Sequence, residues 1–155
     1  MYATWAVPDG HSQLSSLSCK DSEEMTQLLT RAYEAIAIEL GITTSPVGTA
    51  FRYIYENHLD NKALLYASLS NQHPSAIGTY VAALCHYGRL YGRSVKGVNY
   101  TFNDYADDTS ITWNADTHEH ITDEMQREIE EAVDRALFGG SIVKEEYVVD
   151  STEYK

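Results

Sequence analysis

Between Glu23 and Leu40 the apolar residues Met25, Leu28, Leu29, Ala32, Ile36 and Leu40 return at intervals of three and four, the period that lines up one face of an α-helix. Asp21 or Ser22 can accept from the exposed amides of the first turn, and Gly41 can take the left-handed conformation that ends a helix. The spacing therefore predicts a helix over 23–40. A second helix is expected from about Thr49 to His58, with Ala50, Phe51, Ile54 and Tyr55 inward. A third starts near Ser75 and buries Ile77, Tyr80, Val81, Leu84, Gly88 and Tyr91. A last amphipathic helix places Met125, Ile129, Ala132, Val133, Ala136 and Leu137 on one side, and Gly139-Gly140 stops it.

Two segments read as strands. Tyr2-Ala3-Thr4-Trp5-Ala6-Val7 is rich in β-forming residues and ends at the turn residues Pro8-Asp9-Gly10, with the polar stretch 11–20 as a loop. The β-branched run from Ile42 to Val47 follows the first helix directly. A strand–helix–strand order implies a right-handed crossover between parallel strands, hence an α/β layer. Residues 1–140 are expected to form one domain, followed by an acidic tail over 141–155. Two strands are few for a doubly wound sheet, and an uncovered parallel edge needs a partner, so self-association or a complementary chain at that edge is expected.

Composition narrows the classes of function. The 155 residues are 43% hydrophobic and 22% charged, ordinary values for a globular domain. No apolar run approaches the ~20 residues of a membrane helix, and the N-terminus lacks the basic start and apolar stretch of a secretory signal. Residues 1–103 hold 8 acidic and 7 basic side chains, whereas 104–155 hold 15 and 4. So acidic an end repels phosphate backbones and anionic lipid, which argues against nucleic-acid and membrane-surface partners. Cys19 and Cys85 stand apart, without the spacing of a zinc module or a disulfide framework, and no cofactor is expected.

Candidate chemistry centres on His73. Pro74 fixes the backbone after it, Ser75 can cap the next helix, and Gly78 lets that helix pack closely; such a junction can position a base, or the imidazole can simply bond the loop. The run His73-Pro74-Ser75-Ala76-Ile77-Gly78-Thr79-Tyr80-Val81-Ala82-Ala83-Leu84, followed by Tyr87, Leu90, Tyr91 and Gly92-Arg93-Ser94, resembles the SGNH/GDSL hydrolases. Thr4-Trp5-Ala6 is similar to the end of that family's penultimate strand, and Pro46-Val47-Gly48-Thr49-Ala50-Phe51 to its P-V-G-x-A-aromatic segment. The resemblance spans roughly 2–138. It implies the C-terminal part of a flavodoxin-like three-layer α/β fold, with few parallel strands and flanking helices. It also implies hydrolysis of carboxylic esters, on acylated carbohydrates or lipids, with His73 as the general base that takes the serine proton.

Three departures bear on that expectation. The GDS-type nucleophile block is absent, and Gly10-His11-Ser12 lacks the second glycine of a nucleophile elbow. The family's oxyanion-hole glycine and asparagine belong to earlier blocks. Ser70 occupies the position three before His73 where the family places an aspartate, and a hydroxyl can orient the ring without stabilising imidazolium. The expected function is thus a partial SGNH-type esterase that keeps the base and is inactive alone, the alternative being a non-catalytic interaction or assembly module.

Other histidines are weaker candidates. His118-Glu119-His120 lacks an identifiable third metal ligand and reads more simply as polar surface before a helix. His86 falls opposite its helix's main apolar stripe, and His58 closes a helix where positive charge suits the dipole. Tyr53, Tyr55, Tyr66, Tyr80, Tyr87 and Tyr91 could line an aromatic cleft, although most fit helix-core spacing.

Overall fold

The computed structural model describes residues 4–57, 65–68, 71–98 and 123–140. Helices dominate a mixed α/β arrangement: α1 (Ser12–Ser16), α2 (Ser22–Leu40), α3 (Val47–Asn57), β1 (Tyr66–Ser68), β2 (Asn71–Pro74), α4 (Ala76–Tyr91) and α5 (Asp123–Phe138).

Helix boundaries follow the capping chemistry. Asp21 accepts from the Glu24 amide at 2.8 Å to open α2, and Gly41 closes it at φ 61°. Ser75 accepts from the Gly78 amide at 3.1 Å to open α4, which Gly92 closes at φ 62°. The loop expected over 11–20 contains α1, whose first turn is capped by the His11 Nδ1 accepting from the Gln13 amide at 3.2 Å.

The sheet departs from the expectation. It has two strands, paired antiparallel with Tyr66 opposite Pro74 and Ser68 opposite Asn71, and with an irregularity between them. Residues 4–7 form no strand, and 42–47 holds only a lone bridge at Thr44 before α3 begins at Val47. The parallel pair expected over 2–7 and 42–47 is therefore not formed among the described residues, and the flavodoxin-like layering built on it is not displayed. Strand propensity reports fit to a half-buried pleated surface, and the apolar residues at 4–7 find other cover. Ala6 and Val7 are buried with Leu14, Cys19 and Met25, and the Ala6 carbonyl accepts from the Tyr66 hydroxyl at 2.6 Å.

The main core joins α3, α4 and α5: Ala50, Phe51 and Ile54 meet Ile77, Val81, Leu84, Ile129, Val133 and Leu137. α5 is also held by its carboxylates. Asp134 accepts from the Val95 amide at 2.9 Å and from the Ser94 hydroxyl, and Glu130 accepts from the Gly97 amide at 3.1 Å. The Arg135 guanidinium lies 3.9 Å from the centre of the Tyr53 ring, a cation–π contact.

α2 differs from its expected packing. Met25 is buried and Leu28 and Leu29 are half-buried, but Ala32, Ile36 and Leu40 are exposed. Among the described residues, only the N-terminal part of the helix packs through its predicted face. Of the residues predicted inward on α4, Tyr91 is the exception, being 67% exposed. The tail over 141–155 lies outside the described residues, and no described helix is long and apolar enough to cross a membrane.

Candidate functional site

His73 sits on β2, and the backbone around it is fixed from three directions. The Ser75 amide donates to the Leu65 carbonyl at 3.0 Å, which ties the end of β2 to the start of β1. The Trp5 indole Nε1 donates to the Gln72 carbonyl at 2.9 Å, one residue before the histidine. The third tether is steric: a Cβ built on Gly78 would collide with the Leu65 carbonyl and lie 2.9 Å from the Pro74 Cβ. α4 thus meets the hairpin at a separation only glycine permits.

A stack of rings supports the hairpin from below. Trp5 stacks on Phe51 with centroids 5.8 Å apart, Phe51 meets Tyr66 edge-on at 5.8 Å, and Tyr55 stacks on Tyr66 at 6.1 Å. Burial pushes the Tyr66 phenol up to about 12 and raises the Tyr55 phenol further, with the Asp9 carboxylate adding to both shifts. Both tyrosines therefore remain protonated through the range in which a histidine works. Tyr66 supports the hairpin through its hydrogen bond to the Ala6 carbonyl, and Tyr55 through its stack on the Tyr66 ring.

The His73 side chain itself is exposed. The rigid backbone and solvent-facing imidazole suit a base that serves a group presented from outside the hairpin. The expectation that the ring is accessible holds; its expected place at the rim of a parallel sheet does not, since the histidine belongs to the antiparallel hairpin. Ser70, the other predicted site residue, lies outside the described residues, as do His58 and the His118-Glu119-His120 triplet. Ser12 opens α1 and is exposed, so it occupies no strand-to-helix elbow.

The aromatic cleft is replaced largely by core. Tyr53, Tyr66 and Tyr80 are buried, Tyr55 and Tyr87 are half-buried, and Tyr91 faces solvent, where it meets Tyr87 at 4.8 Å beneath the Arg93 guanidinium. His86 is half-buried with its Nδ1 unpartnered among the described residues.

Among the features missed in the sequence, two border this region. One is Trp5 as the tether of the hairpin, which no local pattern signals because its partner lies 67 residues away. The other is a pocket of about 220 Å3 bordered by Asp9, Asp21, Ser22, Glu23, Thr26, Arg52, Tyr55 and Glu56. Arg52 is held there by Glu56 at 2.7 Å and Glu23 at 3.2 Å, so its charge is already answered.

No protein-family model, curated protein or solved structure matches the chain.

Proposed function

We propose that this chain carries the general-base portion of an SGNH-type serine esterase, with His73 as the base and Ser70 as its orienting neighbour, and that the serine nucleophile is supplied from beyond these residues. The observation that carries the reading is the solvent-facing imidazole on a hairpin pinned by Trp5, Ser75 and the Gly78 contact. A base must meet its proton donor, and the exposed position of His73 permits this. The H-P-S-x-x-G-x-Y run supports the same reading, because its proline, serine and glycine are the residues that fix this geometry. On this reading the flavodoxin-like layering belongs to the assembled enzyme, and the substrate is a carboxylic ester of a carbohydrate or lipid.

In the reaction His73 would remove the proton from a serine hydroxyl as it attacks the ester carbonyl, then return it to the departing alcohol. Ser70 in place of a carboxylate would leave imidazolium less stabilised, which lowers the rate. The test is hydrolysis of short-chain p-nitrophenyl esters by residues 1–155 alone and by the product of the complete natural reading frame. The expected result is no turnover by the former, and by the latter turnover that His73→Ala abolishes. No turnover by either, in folded protein, would overturn the esterase reading.

A non-catalytic interaction module is the second reading, favoured by the apolar residues bared at the end of α2: Ile36 is 49% exposed, Leu40 62% and Ile42 43%. Grouped apolar exposure of this kind marks contact surfaces. Sedimentation that shows a monomer at high concentration, unchanged by Leu40→Lys, would count against self-association through it.

A further inference from the structure

A cavity of about 40 Å3 opens between residues 4–6, the Thr26–Glu34 stretch of α2 and the segment 44–49. One water needs about 10–15 Å3, so roughly three would fit. The lining is rich in hydroxyls, among them Thr26, Thr30, Tyr33, Ser45 and Thr49, while Leu29, Pro46 and Trp5 add apolar wall. Glu34 is the one lining residue charged at neutral pH.

Ser45 makes this more than a packing gap. It is 4% exposed, and its Oγ has no hydrogen-bond partner among the described residues. A hydroxyl removed from water without a partner is unfavourable, and this one borders the cavity. The neighbouring Thr26 hydroxyl donates to the Ser22 carbonyl at 2.8 Å, which leaves its lone pairs able to accept.

We infer that this cavity binds a small neutral polyol, free or as the hydroxymethyl arm of a sugar. Hydroxyl groups both donate and accept, which matches a lining of hydroxyls, and the apolar wall suits the C–H faces of such a molecule. An anion is disfavoured because the lining offers it no cationic side chain. Trp5 borders the cavity and bonds the Gln72 carbonyl beside His73, so occupancy is sensed at the hairpin through one side chain. The inference goes beyond the esterase reading and stands whether or not His73 is catalytic: binding is read at Ser45 and hydrolysis at His73.

The test is a heteronuclear NMR titration of 15N-labelled residues 1–155 with glycerol and, separately, methyl glucoside, with acetate as the anionic control. Saturable millimolar shifts of the Trp5 indole and the Ser45 and Thr49 amides are expected with at least one of the two polyols. Saturation by glycerol identifies a free polyol, and saturation by the glucoside alone identifies a sugar arm. Loss of one hydrogen bond in Ser45→Ala should weaken binding about fivefold. Thr30→Val provides the same measurement should the first variant fail to fold. Shifts that rise linearly with both polyols, saturation by acetate, or unchanged affinity in the folded variant would overturn the inference.

Discussion

Gly78→Ala sets two opposing effects against each other. In a helix interior with open surroundings the change would stabilise by about 1 kcal/mol, because alanine is the better helix former. Here the added Cβ would overlap the Leu65 carbonyl oxygen and approach its carbonyl carbon to 3.1 Å and the Pro74 Cβ to 2.9 Å. The hairpin must then retreat from α4. That retreat stretches the 3.0 Å bond from the Ser75 amide to the Leu65 carbonyl and loosens Leu65 and Tyr66, which are 1% and 0% exposed. Overpacking of this kind costs about 1–3 kcal/mol, and the weakened hydrogen bond adds about 1 kcal/mol. After subtraction of the helix-propensity gain, a net loss of about 1–3 kcal/mol is expected, a sizeable part of the ~5–15 kcal/mol that holds an ordinary domain folded. Urea denaturation followed by far-ultraviolet circular dichroism measures it, with an unchanged slope showing that the transition remains two-state. A variant as stable as the parent, or more so, would refute the close approach of α4 to the hairpin.

Three other outcomes follow from individual groups. The bond from the Glu24 amide holds the Asp21 carboxyl below its ordinary range, so its contribution is complete above that range and is lost as pH falls through the lowered value. Asp21→Ala should cost about 1 kcal/mol, while Asp21→Asn should keep the cap at neutral pH and flatten the acid limb of the stability profile; identical acid limbs for Asp and Asn would contradict this. Tyr66→Phe removes the 2.6 Å bond to the Ala6 carbonyl and should destabilise by about 1–3 kcal/mol in the same urea assay. Burial pushes the Cys85 thiol up to about 12, against a smaller opposite effect of Arg89. It should therefore resist Ellman's reagent in the native protein and react on unfolding, as peptide mapping would show.

The four longer helices were legible in the sequence because their signals are local, whereas the five-residue α1 was not. Asp21, Gly41, Ser75 and Gly92 do what their chemistry prescribes within one turn of where they stand. The strands were not legible, since Thr4-Trp5-Ala6-Val7 has the composition of a strand without a strand partner among the described residues, while Asn71-Gln72-His73-Pro74 pairs despite poor strand propensity. What holds the second segment is tertiary: the Trp5 indole, the Leu65 carbonyl and the glycine of α4. The α2 row Ala32, Ile36 and Leu40 teaches a similar lesson, for periodicity defines a face but not what stands opposite it. His73 was singled out by its flanking residues and stands exposed on the hairpin; the Ser45 cavity left no such mark, because its walls come from three separate segments.

The order in which the ribosome delivers the chain gives the docking of α5 a consequence in time. Its anchors, the Val95 and Gly97 amides and the apolar faces of α3 and α4, all precede it in the sequence. Synthesis of residues 99–138 at about 5–20 residues per second occupies about 2–8 s. During that interval Phe51, Ile54, Val81 and Leu84 lack the Ile129, Val133 and Leu137 side chains that complete their core. The nascent chain therefore passes through a window in which this apolar platform is uncovered and open to chaperones or to neighbouring nascent chains, and the arrival of a single helix closes it.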